Sequence, residues 1–243
     1  MNKKQLSNPD FKVQQDASGT TFCIENVQER EVLLRFLSLM VNVQPDIQFV
    51  QNIKNFDLKG ISESFDNEDP TSKISLGVTE ISDFLNETSH QKEEEVVSNL
   101  AVDWNRLFRG VSPGFGPTPP YEGLYLEDSA NGSELLMQLI RIYNQAFLSN
   151  SKFKPDRPDY LGIELEFLKH LAEKEIAAWK ALEPDAIQRD SILFKIFFEE
   201  HPKRWVNKYC NAALSASNTK FYQGVIHILE GTIVFCSNSI STK

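Results

Sequence analysis

The sequence predicts an all-α protein made of two helical halves joined by a proline-containing hinge. Three observations lead there. Long stretches place apolar residues at i, i+3/i+4 spacing, the repeat of one helix face. Strand-like runs are few: Thr20–Ile24 and Thr232–Cys236 are short β-branched or aromatic stretches with no partner at hairpin spacing. Prolines and small polar residues gather between the periodic stretches, above all at residues 149–160, where Pro155 and Pro158 interrupt any continuous helix.

Residues 1–20 are polar and aperiodic and read as a loose tail within an N-terminal half of residues 1–148. Asn26 with Glu29 forms a candidate capping box, followed by Val32, Leu33, Phe36, Leu37 and Met40 on one face. Ser89 to Phe108 reads as the next clear helix. It opens with Glu93, Glu94 and Glu95 at its positive end and carries Val96, Val97, Leu100, Ala101, Trp104, Leu107 and Phe108, with Gly110 placed to end it in a left-handed turn. Ser133–Leu148 repeats the pattern with Leu135, Leu136, Leu139, Ile142, Tyr143 and Phe147.

Past the hinge at 149–160, the C-terminal half of residues 161–243 begins. Its first helix carries Leu161, Leu165, Leu168, Ala172, Ile176 and Trp179, widened by Phe167 and Leu171. Ile192, Leu193, Ile196 and Phe197 mark another helix, and Pro202 can open a third through Trp205, Tyr209 and Leu214. The last runs from about Ser217 with Phe221, Val225, Ile228, Leu229, Ile233 and Cys236.

Of the 243 residues, 41% are hydrophobic and 24% charged, the balance of a chain that folds on its own. The net charge of −9, from 34 acidic and 25 basic residues, disfavours a nucleic-acid partner and steers a cationic one inward. Cys23, Cys210 and Cys236 are odd in number and far apart, which argues against a disulfide framework and for a reducing compartment. No apolar run reaches the length of a membrane span, and Met1–Pro9 leads into polar residues where an export signal needs an apolar stretch. These readings give a cytoplasmic protein without stable membrane insertion.

Chemistry-bearing motifs are sparse. The four histidines, His90, His170, His201 and His227, are scattered and read as surface or helix-end residues, and Glu87/His90 is the single Glu-x-x-His spacing. Gly114-Phe115-Gly116 lacks the Gly-Lys-Ser/Thr of a phosphate loop, and no serine sits in G-x-S-x-G. No catalytic residue, metal site or cofactor is assigned. What remains is binding chemistry. Trp104, Leu107 and Phe108 share a helix face at its C-terminal end, where part of a stripe can stay open to a groove; plain core packing is the competing reading, chiefly for Trp104 and Leu107, while Phe108, Phe115 and Tyr121 are expected to be reachable. Pro113, Pro117, Pro119 and Pro120 hold the following loop extended. Asp156, Asp159, Glu164 and Glu166 offer carboxylates to a guanidinium, although Asp159 suits helix capping equally well.

In sequence order, Trp104–Gly110, Pro119–Leu126, Pro158-Asp159-Tyr160 leading to Glu164-Leu165-Glu166-Phe167, Phe198–Trp205 and Phe221-Tyr222 resemble the TorD/DmsD/NarJ family of cytoplasmic chaperones for molybdenum-containing redox enzymes. The resemblance spans about residues 97–230. It implies a helical TorD-like fold and binding of the twin-arginine leader, or the apo form, of a molybdoenzyme, with export delayed until cofactor insertion is complete. The leader-binding residues of the family map onto Trp104, Leu107, Phe108, Pro120, Tyr121 and Asp159, flanked by Tyr160 and Glu164. Three positions depart from the pattern: Tyr160 replaces a histidine, Tyr121 a tryptophan and Pro202 a leucine. Tyr160 lacks an imidazole that titrates near neutral pH but keeps a hydrogen-bonding hydroxyl. The resemblance also permits a monomer or a dimer that exchanges halves across the 149–160 break. Alternatives from the sequence are a nitrate-reductase-type assembly chaperone without leader recognition, or a helical carboxylate-metal enzyme or nucleotide hydrolase.

Overall fold

The computed structural model describes residues 13–15, 21–56, 58, 60–61, 72–110, 115–126, 132–146 and 156–240. Its helices are α1 (Ile24–Asn42), α2 (Ile47–Lys54), α3 (Lys73–Glu87), α4 (Glu93–Trp104), α5 (Gly132–Ala146), α6 (Leu161–Ala181), α7 (Pro184–Glu200), α8 (Pro202–Ala216) and α9 (Lys220–Ile240). The expected all-α class holds. A two-stranded antiparallel ribbon pairs β1 (Val13–Gln15) with β2 (Thr21–Cys23). The strand run ending at Cys23 therefore has a partner, hidden because Val-Gln-Gln carries no apolar alternation, and part of the stretch read as a tail is ordered. Thr232–Cys236 is helical: inside a 21-residue helix its β-branched residues are outvoted by burial on α9. Most of the 149–160 break lies outside the described residues, as do residues 1–12.

Helices from the two ends of the chain share one core. α1 packs on α6 and α9, α3 on α9, α6 on α7, and α9 on α8. Burial on several sides explains why α1 hides Leu34 and Val41 besides Leu33, Phe36, Leu37 and Met40, while Val32 stays exposed. α1 also starts at Ile24, so Asn26 lies within its first turn and is not its cap. Between α1 and α6, Arg30 meets Glu175 at 2.8 Å, both nearly fully buried, with the guanidinium 4.2 Å from the centre of the Phe194 ring. α2 shows local capping at work: Asp46 accepts from the Phe49 amide at 2.7 Å.

α3 and α9 approach so closely that backbone nearly touches backbone. A Cβ on Gly224 would lie 2.5 Å from the Gly77 carbonyl oxygen and 2.7 Å from Ile81 Cγ1. On α7 the buried apolar residues are Ile187, Phe194, Phe197 and Phe198, whereas Ile192 and Ile196, expected on the inner face, look outward. Six apolar residues within the seven positions 192–198 give no single face, and the neighbours of α7 select the phenylalanines.

Candidate peptide-binding site

α4 does not stop at Trp104 but widens into a π-helical turn, Asn105–Arg109, ended by Gly110 in the left-handed region at φ 60°. This turn sinks the predicted aromatic stripe inward. Trp104, Leu107 and Phe108 are all 1% exposed or less. Trp104 Nε1 donates to the Val41 carbonyl at 3.2 Å, the Leu107 carbonyl accepts from the Tyr209 hydroxyl at 3.3 Å, and Phe108 meets the Tyr222 ring edge-on at 5.8 Å. Phe108, expected within reach of a ligand, is thus core, because α8 and α9 cover the end of α4. Phe115 is reachable, 49% exposed with the Arg106 guanidinium 4.8 Å from its ring centre, and Tyr121 is partly so.

Two backbone hydrogen bonds stitch the return segment to the residues ahead of α6. The Glu122 amide donates to the Asp159 carbonyl at 2.8 Å and the Leu161 amide to the Pro120 carbonyl at 2.9 Å, around a Tyr121–Tyr160 bridge whose rings lie 5.5 Å apart. The structure so brings together Pro120, Tyr121, Asp159 and Tyr160. Tyr160 donates to the same Val41 carbonyl, at 3.1 Å, that accepts from Trp104. Burial pushes the Tyr160 phenol far up, so at this position a neutral, fixed donor stands where the resembling family has a titrating ring.

Of the four carboxylates, Asp156 is exposed and Glu166 partly so, bonded to Ser38 and Lys169, whereas Asp159 and Glu164 are closed to solvent. Asp159, 3% exposed, accepts from its own neighbour Arg157 through both oxygens, Nε to Oδ1 and Nη2 to Oδ2, each at 3.0 Å. The same guanidinium lies 3.9 Å from the centre of the Tyr121 ring. Glu164 is fully buried. Its Oε2 accepts from Trp205 Nε1 at 3.2 Å while Oε1 meets no donor. Burial, with the Glu122 carboxylate beside it, pushes Glu164 well above the usual carboxylate range, which resolves the orphan oxygen: protonated, it donates to Glu122. Neither residue presents a bare charge to a ligand.

Sequence reasoning placed His201 among surface or helix-end residues. It does end α7, but it is buried, and its Nδ1 stands 3.0–3.1 Å from both Glu122 oxygens. Above this pair opens a cleft of about 560 Å³, walled by Leu135, Gln138, Arg141 and Ile142 of α5 and by Glu200 and Arg204. The available signal was Glu122 beside Tyr121 together with His201, a pairing that only the tertiary fold reveals. A second missed residue is Asp103. Its buried carboxylate accepts from Ser217 Oγ, the Asn218 and Thr219 amides and Thr219 Oγ1, and so caps α9 from the end of α4. Among the described residues no three His, Cys, Asp or Glu side chains cluster to hold a metal ion, and no helix is long and apolar enough to cross a membrane.

The family described as nitrate reductase delta subunit matches residues 70–211. The chain belongs to this family. Its NarJ/TorD-like members are chaperones, not enzymes, which makes the chain a chaperone of molybdoenzyme maturation and agrees with the all-α class. The matched span covers α3 to the middle of α8 and so includes Trp104, Leu107, Phe108, Pro120, Tyr121, Asp159, Tyr160 and Glu164, while Val41 and Tyr222, which pack against them, lie outside it. No curated protein and no solved structure matches the chain.

A neutral Glu164 has a thermodynamic signature. Its pKa in the folded state exceeds the ordinary value of 4.5, so the folded chain binds more protons than the unfolded one above that pH, and stability falls as pH rises. Glu164→Gln keeps the shape and the donor to Glu122 but removes the titration. The variant is expected to match wild type near pH 4.5 and to be the more stable of the two at pH 7 and above. Denaturant melts across that range check this, and parallel curves would show that Glu164 is ionised.

Proposed function

We propose that the chain holds the twin-arginine leader of an apo-molybdoenzyme and delays its export until the cofactor is in place. What supports this reading is one juxtaposition: the ring of Tyr121 and the carboxylate of Asp159 stand side by side, joined through backbone pairing, and together hold a guanidinium. A leader pairs guanidinium groups with an apolar stretch. The apolar stretch would lie on Tyr121, Phe115 and Leu124, the latter two about half exposed, with Trp104, Leu107, Phe108 and Pro120 as the floor that holds them in shape. Tyr160 and Glu164 act from below, holding the backbone of the seat through the Tyr160 bond to the Val41 carbonyl and the Trp205 bond to Glu164. The net charge of −9 favours the encounter with a cationic segment.

Calorimetric titration of a synthetic leader peptide is the test. In a chain that also carries Arg157→Gln, so that no internal guanidinium offsets the loss, Asp159→Asn is expected to weaken binding by at least about 2 kcal/mol, some thirtyfold, because a charged hydrogen-bond pair loses its acceptor charge. Unchanged affinity would remove Asp159 from the site.

The family description favours a second reading, in which the client is a nitrate-reductase-type subunit recognised without a leader. Co-purification separates the two: a client shorn of its leader is lost from the chaperone on the first reading and retained on the second. A reducing cytoplasm as the place of action fits both readings.

A further inference from the structure

Asp159 is 3% exposed, yet the guanidinium locked onto both its oxygens belongs to a side chain that is 47% exposed. The pair is therefore a buried acceptor under a reachable cap. The cap comes from two residues away along the chain, uses the forked, planar geometry particular to arginine, and stands over the Tyr121 ring with its central carbon 3.9 Å from the ring centre. Any external guanidinium that enters this seat must first displace the internal one.

We infer that Arg157 is an internal stand-in for an arginine of the bound peptide, occupying the Asp159–Tyr121 seat in the free chaperone and leaving it when a leader docks. This rests on the leader-binding reading above and adds its regulation. An unfilled seat would leave a desolvated carboxylate without a donor, at a cost in stability. Arg157 removes that cost in the free state and in turn sets a threshold. A peptide with a single lysine offers a point charge and neither the fork nor the flat stacking surface, so it cannot repeat the contacts it would replace. A guanidinium makes the exchange nearly even, and the apolar stretch of the leader then tips it. The device thus raises selectivity while lowering affinity, because part of the peptide's binding energy goes into ejecting Arg157.

The test uses the full chain as wild type, Arg157→Gln and Arg157→Lys, titrated with a synthetic leader carrying paired arginines and with the same peptide carrying paired lysines. Arg157→Gln is expected to bind the arginine peptide roughly three- to tenfold more tightly, the range set by an exposed charge pair plus a stacked cation, and to discriminate less against the lysine peptide. Arg157→Lys, which keeps the charge but not the fork, is expected to fall between the two and serves as the probe should the glutamine variant melt early. Equal or weaker arginine-peptide binding by variants that melt like wild type overturns the inference while the leader-binding reading stands on the wild-type titration. Absence of binding by wild type and both variants overturns the two together.

Discussion

Replacing Asp103 by alanine is expected to cost the fold about 3–5 kcal/mol, the range for removing one partner from a buried charged network. The carboxylate is 1% exposed and receives four donors: Ser217 Oγ at 3.2 Å, the Asn218 amide at 3.1 Å, the Thr219 amide at 2.9 Å and Thr219 Oγ1 at 2.7 Å. Two of these are backbone amides at the start of α9, which no residue of the helix itself satisfies in their place. The two amides are only partly buried, so losing their acceptor costs less than the roughly 1–3 kcal/mol of a fully buried one, but Arg106, 3.5 Å away, loses its anion as well. Asp103→Asn keeps an acceptor oxygen and is expected to cost roughly half as much. Urea melts monitored by helical circular dichroism give both values. A loss under about 1 kcal/mol for the alanine variant would mean that water or Ser217 can cap α9 unaided. Because Phe108 packs on Tyr222 in the first turn of α9, the variant is also expected to loosen the floor of the proposed peptide site.

Gly224→Val is expected to be equally severe, by a different route. Its first added carbon would lie 2.5 Å from the Gly77 carbonyl oxygen, and backbone cannot rotate aside as a side chain can. α3 and α9 would have to part, opening contacts along Ile74, Val78 and Ile81, so the loss should exceed the roughly 1–3 kcal/mol of ordinary overpacking. Soluble yield and melting temperature measure it, with Gly224→Ala as the milder step. A Gly224→Val variant that melts with wild type would show that the two helices can separate at little cost.

How much of this was legible beforehand follows from where each residue's partners lie. α6 and α9 were readable because they are buried on a broad face, and one apolar stripe of about twenty residues overrides every local ambiguity. α7 was readable as a helix but not in its facing, since Ile192 and Ile196 are as apolar as the phenylalanines that were chosen. The site was legible as a set of segments: the pairing of Pro120–Tyr121 with Asp159–Tyr160 joins stretches that sequence had already singled out. Its depth was not, because depth is set by what covers a residue. Phe108 and Glu164 look alike to a sequence reader whether they line a groove or lie beneath one. Asp103 and the Glu122–His201 pair were invisible for the same reason, their partners being 79 to 116 positions away. Arg157 is the instructive case. It stood two residues from Asp159 in plain view, and only the geometry shows that the carboxylate read as waiting for an arginine already holds one.

A single backbone atom ties together two parts of the candidate site. The Val41 carbonyl oxygen accepts from the Trp104 indole on one side and from the Tyr160 hydroxyl on the other, so the end of α4 and the segment ahead of α6 share one anchor point in the last turn of α1. A shift of that turn carries both walls along. On the leader-binding proposal, the seat at Tyr121 and Asp159 is thus positioned from α1, and substitutions around Val41 are expected to change peptide affinity while every proposed contact residue stays as it was.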